Sequence, residues 1–523
     1  MIFENEDLLF QVCKFLDFDL TQKSILSKVC LLWKLYIEHI RFQKLIHLKH
    51  PLDETDKKVF EYARRASINT SYYITESNYI ILTKIRNLTM LNIFVHDAKI
   101  IFPQISELTN LKILDIYPIN DTCILNIAFL TQLEKLKIGG SGSNYLKNIN
   151  SISKLINLKQ LSFEDCNYVG RIDFINLKNL TYLKIEDCDY FFNNALQNIS
   201  KMTNLKSLNV HESYRISELC DDIPELNLEY ISNLTQLETL KLIAIKNMVN
   251  TICLSKLSHL TDLDLSQSNI TDIDCQFLTT LTRLKYLNLN HCTQITNINI
   301  VPTNLISFTA NRSNILTPKY FPKLELLTIN KCEMDLDFIT NFPNLYELNI
   351  TCTSGQILTL LTNLRSLRIE HLTTEVDLKL PTGLKVLHLG NFKLPDLNCL
   401  LNLKNLRNLS IYLFDESDLE IISNLDLYNI CFYVKKNFDL KRLVNFLEMM
   451  PNLKNIDVKC VEHIRHIKHI NHFPKLELNR YFSKYFTYKS IKYEYLYDSL
   501  DNISLYEDIF DYLVTHQLFY KQS

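Results

Sequence analysis

LKILDI from Leu111, LEKLKI from Leu133, LTYLKI from Leu180, LTDLDL from Leu260, LKYLNL from Leu284, LRSLRI from Leu364 and LRNLSI from Leu406 are one phrase written seven times. Each copy is Leu, two variable residues, Leu, one variable residue, then Leu or Ile. Counted from the first Leu, the series runs 88, 111, 133, 158, 180, 205, 237, 260, 284, 305, 324, 345, 364, 384 and 406. The steps are 19 to 25 residues except one of 32, which carries the acidic stretch RISELCDDIPELNLEY from Arg215 to Tyr230 as a looped-out insertion. Weaker copies begin at Leu427 and Leu453, which makes about seventeen units. A fixed period of this length means a solenoid, because one unit cannot bury its apolar edge alone and a stack can.

The phrase resembles the leucine-rich repeat. Alternate residues of a strand face opposite sides, so the second and third apolar positions point inward together and the residue between them points out. The resemblance implies an α/β solenoid, with parallel strands on a concave side and turns or short helices behind them. Steps of 22 to 25 residues leave room for a helical turn in the return, and steps of 19 to 21 for a tighter one. Cys166, Cys188, Cys292 and Cys332 each stand eight positions after a first Leu. They are expected to face inward and support the backbone of the turn, packed as small hydrophobes, and they resemble the cysteine-containing class of these repeats.

The outward positions lie two, four and six residues after each first Leu. They place Lys137, Tyr182, Lys184, His211, Asp262, Asp264, Tyr286, Asn288 and Arg368 on the concave face as candidates to bind a protein target, with Gly139 among their neighbours. This face is polar, mixed in sign and dotted with aromatics, which suits a folded protein or a peptide.

Composition narrows the class. The 523 residues carry 56 basic and 58 acidic side chains, a net charge of −2, which disfavours nucleic acid as the main partner because phosphate binding needs clustered cations. The 14 Cys follow the repeats and form no CxxC pair, as expected of an intracellular chain in the cytoplasm or nucleus. MIFENEDLLF does not read as a signal peptide, and no apolar run approaches the ~18 residues of a membrane span. The phosphate-loop, nucleophile-elbow and zincin motifs are absent, so no catalytic residue, cofactor or metal is assigned. His463, His466, His469 and His472 stand three apart, but Ile464, Ile467 and Ile470 share that period, which favours packing over metal.

The chain divides into residues 1–50, a helical unit; 51–87, a linker helix and N-terminal cap that begins as a helix over PLDETDKKVFEYARRA and continues as a polar loop; 88–460, the repeats; and 461–523, a Tyr- and Phe-rich C-terminal cap. In the first unit Leu8, Leu9, Val12, Phe15 and Leu16 share a helix face, Thr21 offers an N-cap, and Trp33 is the only Trp. DLLFQVCKFLDFDLTQKSILSKVCLLWKLYI is similar to an F-box. The match rests on the Leu8-Leu9 pair, Phe15-Leu16-Asp17, Asp19-Leu20, and Val29-Cys30 followed by Trp33; the segment opens Ile2-Phe3-Glu4 where the family has Leu-Pro. The resemblance implies a Skp-type adaptor and, through it, a cullin scaffold as partners. Leu9, Val12, Phe15, Leu16, Val29 and Trp33 are then the adaptor-side or supporting residues, and the repeats a substrate receptor for a ubiquitin ligase. The alternative is a repeat scaffold without ubiquitin, whose first helices only cap the stack.

Overall fold

A computed structural model describes residues 46–48, 65–70, 88–95, 103–140, 146–166, 172–188, 193–212, 225–296, 302, 304–311, 321–329, 342–352, 357–372, 379–390, 396–413, 418–434 and 455–460, with single positions at 392, 394, 446, 449, 450, 452 and 453. The F-box-like residues Leu9 to Trp33, residues 215–224 of the insertion, Cys332, the histidine series and the C-terminal cap lie outside them. The end of the insertion, expected to loop out, forms a short strand at Leu226–Asn227 and a 3-10 turn from Leu228. The chain forms two compact units, Met1–Asn288 and Leu289–Ser523.

The first unit contains strands β1 (Ile46–Leu48), β2 (Arg65–Thr70), β3 (Met90–Val95), β4 (Ile113–Tyr117), β5 (Lys135–Gly139), β6 (Gln160–Glu164), β7 (Tyr182–Glu186) and β8 (Ser207–His211). After them come β9 (Leu226–Asn227), β10 (Thr239–Ile243), β11 (Met248–Val249), β12 (Asp262–Asp264) and β13 (Tyr286–Asn288). All but β9 and β11 join one parallel ladder in chain order, and β9 pairs with β11 separately. The second unit repeats the arrangement with β14 (Ser307–Thr309), β15 (Leu326–Ile329), β16 (Glu347–Cys352), β17 (Ser366–Leu372), β18 (Val386–Leu389), β19 (Asn408–Leu413), β20 (Asn429–Val434) and β21 (Asn455–Cys460), each parallel to the next. The fold is the α/β leucine-rich-repeat solenoid that the phrase predicts.

The linker departs from expectation. Residues 65–70, expected to end a helix and begin a loop, form β2, whose Ala66 and Ile68 stand opposite Leu91 and Ile93 of β3 and opposite Ile46 and Leu48 of β1. The ladder therefore starts before the recognisable phrase. Two inward-register residues are enough to continue a parallel strand, while the leading Leu that makes the phrase visible is Ala63 or Gln43 here.

Burial follows the phrase. In β5 Leu136 and Ile138 are fully buried with Lys137 between them partly exposed, and β4, β7, β8 and β10 alternate in the same way. The returns are mostly 3-10 turns, such as Ile149–Lys154 and Thr251–Lys256, with short helices α1 (Asp121–Ile127), α2 (Asn193–Ile199) and α3 (Asp418–Ile422). They close the core from behind with residues such as Ile152, Phe174, Ile231 and Leu278. In the second unit Phe308, Phe321 and Phe342 continue the core as a tilted stack with ring centroids 6.0 and 5.8 Å apart.

Three devices recur at fixed positions. Seven residues after the first Leu the backbone is left-handed at Asp165, Asp187, Ala244, Gln267 and His291, a conformation unfavourable for residues with a side chain. The neighbouring repeat supports it: Asp165 N donates to Glu186 O at 2.9 Å and Asp187 N to His211 O at 3.0 Å. One residue later Cys166 and Cys188 are buried and donate Sγ–H to Glu164 O (3.3 Å) and Glu186 O (3.2 Å), with Cys292 placed alike over Asn290 O at 3.8 Å. These thiols hold the turn, as expected of that position. The third device is a ladder just before each phrase, where Asn157, Asn179, Asn204, Asn344 and Asn363 donate Nδ2–H to the carbonyls of Thr131, Ile156, Lys178, Pro322 and Pro343 in the preceding repeat, at 2.8 to 3.0 Å.

Candidate functional site on the concave face

Strand register brings the outward side chains of the first unit into rows. The central row runs Asn92, Asp115, Lys137, Ser162, Lys184, Asn209, Lys241, Asp264 and Asn288, directly opposite one another from strand to strand. Parallel neighbours are about 4.8 Å apart, so charges in a row meet.

Between β5 and β8 they meet in a chain of ion pairs. Lys137 Nζ reaches Glu164 at 2.8 Å, Lys184 bridges Glu164 at 3.3 Å and contacts Glu186, and His211 Nδ1 stands 3.7 Å from both Glu186 and Asp187. Burial pushes the Glu164 carboxyl upward, but Lys137 and Lys184 outweigh it and hold the group below its ordinary value. Lys184 is pressed down by burial and raised by more through Glu186 and Glu164, for a net rise. Tyr182 lies beside this network, partly exposed. Lys137, Tyr182, Lys184 and His211 are thus one patch.

The other sequence candidates fall elsewhere. Tyr286 is 47% exposed on β13. Asp264 is only 8% exposed, and its oxygens accept from Ser266 N and from Asn288 Nδ2, both at 2.9 Å. Asp264 and Asn288 therefore hold the face together, because a nearly buried carboxylate with both oxygens engaged has little left for a partner. Asp262 beside them is half-buried, and burial raises its carboxyl with Asp264 adding to the effect. Arg368 belongs to the second unit, where it is exposed and paired with Glu370. Gly139 is buried under the Tyr117 ring, whose Cδ2 would lie 1.9 Å from any Cβ there.

The outward positions of β3 and β4 were not among the candidates, although counting from Leu88 and Leu111 selects them. They carry Met90, Asn92 and Phe94, then Ile113, Asp115 and Tyr117, all partly exposed. Phe94 and Tyr117 stack at 6.5 Å. Among the described residues no group of three His, Cys, Asp or Glu could hold a metal, and no helix is long and apolar enough to cross a membrane.

A leucine-rich-repeat model of two copies matches residues 258–306, the stretch that builds β12 and β13. Among solved structures, an internalin (InlF) from Listeria monocytogenes strain 4b F2365 is similar at 22% identity, covering 68% of this chain and 82% of its own, with a TM-score of 0.29. Internalin C2 of the same strain is similar at 23% identity over 36% of this chain and 74% of its own, with a TM-score of 0.28. No protein with a curated description matches. Leucine-rich repeats are what build this chain's ladder and its concave face.

Proposed function

We propose that the chain is the substrate receptor of a cullin-type ubiquitin ligase, with its N-terminal residues held by a Skp-type adaptor and its concave face holding a target protein. The receptor half is supported by the outward rows, which gather Lys137, Glu164, Tyr182, Lys184, Glu186 and His211 on four adjacent strands. The adaptor half is supported by the F-box-like order from Leu8 to Trp33. Such a receptor forms no bond itself; it raises the local concentration of a target lysine beside a charged conjugating enzyme.

A second reading is a leucine-rich-repeat protein-binding scaffold without ubiquitin. The observation that favours it is the ladder itself, since β2 carries the sheet back into the linker and β1 into residues 1–50, expected to be helical, as a capping segment would. The test is co-purification of the full chain with a purified Skp-type adaptor, beside Trp33→Ala and Leu16→Ala. The ligase reading expects adaptor binding by the wild type and its loss in both variants with an unchanged thermal melt. No binding by wild type, or equal loss of repeat stability in the variants, supports the cap.

A further inference from the structure

The faces of β3 and β4 differ from the rest of the first unit's concave surface. From β5 to β8 the outward charges of Lys137, Glu164, Lys184 and Glu186 are joined in one chain of ion pairs. On β3 and β4 the central row holds one amide and one carboxylate. Asn92 stands directly opposite Asp115, and its Oδ1 is buried without a hydrogen-bond partner. Asp115 makes no hydrogen bond or ion pair among the described residues, since Lys137 across from it is drawn to Glu164. Burial lifts the Asp115 carboxyl above its ordinary value, and Lys137 only partly offsets this. Flanking Asn92 and Asp115, Met90 lies opposite Ile113 on one side and Phe94 opposite Tyr117 on the other.

We propose that this face of β3 and β4 docks an arginine side chain carried on an extended basic segment of the protein that the repeats hold. The inference rests on the concave face being the receptor surface and adds what that surface selects. An apolar side chain would leave the Asp115 carboxylate desolvated and unpaired, which costs free energy. A carboxylate or phosphate would be repelled by Asp115. A guanidinium has a planar fork of donors that matches the two oxygens of the Asp115 carboxylate, and its face stacks on aromatic rings such as Phe94 and Tyr117. Lysine offers one compact charge and cannot do both as well.

The test is panning of phage-displayed random dodecapeptides on the full chain, with synthesised winners titrated against variants and against N-acetyl-arginine-methylamide as competitor. Expected are winners rich in arginine that weaken about tenfold or more on Asp115→Asn, weaken on Phe94→Ala, lose affinity when arginine becomes lysine, and are displaced by the competitor. Asp115→Asn is near-isosteric, and a thermal melt confirms its fold. Winners that ignore Asp115→Asn but are lost on Tyr182→Ala or Lys184→Ala overturn the arginine site and leave the receptor reading standing. Winners indifferent to every concave substitution, or no winners at all, overturn both.

Discussion

The carbonyl two residues before a first Leu is met in several repeats by a side chain, either from the next repeat, as with Asn363 or His259, or from an arginine of its own repeat. In five repeats with Asn just before the phrase the amide donates, as Asn363 does to Pro343 O at 2.9 Å. After Leu364 and Leu406 that position is Gly383 and Asp426, and there an arginine folds back instead. Arg365 Nη1 donates to Thr362 O (2.9 Å) and Leu364 O (3.0 Å), and Arg407 Nη1 to Lys404 O (3.1 Å) and Leu406 O (2.8 Å). Gly383 makes room for the first of these, since a Cβ there would lie 2.5 Å from Arg365 Nη1. Arg365→Ala should therefore leave Thr362 O to water and loosen the joint between β17 and β18. Surface hydrogen bonds contribute roughly 1 kcal/mol net, equivalent to about fivefold in a local opening constant. Hydrogen exchange read by mass spectrometry over residues 361–390 should show that acceleration, with residues 235–265 unchanged. Gly383→Asn displaces the guanidinium but brings its own Nδ2 to Thr362 O, so alone it should be nearly neutral and in the double variant it should restore slow exchange. If Arg365→Ala leaves exchange unchanged, or the double variant is no better than the single, the exchange of one donor for the other is wrong.

Three further outcomes are expected. Leu161→Ala removes a side chain with 0% exposure and should cost about 2–5 kcal/mol, seen as a lower urea midpoint for the first unit. Cys188 is raised well above the ordinary thiol value by burial and by Cys166 beside it, so iodoacetamide at pH 8 should label the less buried Cys253, Cys399 and Cys431 while Cys188 stays unmodified until urea unfolds the chain. Glu164 is held below its ordinary value despite burial; a lowered carboxyl adds stability above the unfolded value of about 4.5 that disappears as pH falls through the folded value, so melts between pH 3 and 6 should show a shallower pH dependence for Glu164→Gln than for wild type.

How far the sequence could be read follows from where each contact is made. LxxLxL declares itself because inward residues must be apolar and spaced by the strand, so β3 to β8 follow directly from the phrase. The thiol position was legible for the same reason, since Cys166 and Cys188 sit at a fixed offset inside the turn. β2 was not, because Ala63 stands where the phrase has its leading Leu, and ARRA reads equally well as helix. The Asn ladder was visible as repeated NL pairs, but its meaning depends on a carbonyl 20 to 26 residues away, which only the stacking reveals. Among the candidates for binding, outwardness was legible and availability was not. Asp264 faces outward by counting, yet neighbours on the next strand and in its own turn consume both oxygens.

A solenoid makes such unavailability informative. Each repeat meets only its neighbours, so a polar atom in an outward row must find its partner one strand away or go without. Most do find one here: Lys137, Lys184 and His211 lean toward carboxylates, and Asn288 toward Asp264. Among the described residues four buried amide oxygens do not; Gln267 lies in a turn, and the other three, of Asn92, Asn209 and Asn349, occupy the same place, four residues after the first Leu. The strain on Asp115 has the same origin, and its sign gives a test independent of any partner. A carboxyl raised in the folded state binds its proton more tightly there than when unfolded. It therefore contributes stability below the unfolded value of about 3.8 that is lost as pH rises through the raised folded value. At neutral pH the ionised group opposes folding, so Asp115→Asn should raise the melting temperature at pH 7 and lose that advantage toward pH 3. A carboxylate kept solely for the fold would give the reverse. A variant that is more stable at pH 7 yet binds arginine peptides less well would mark Asp115 as retained for recognition at the expense of stability.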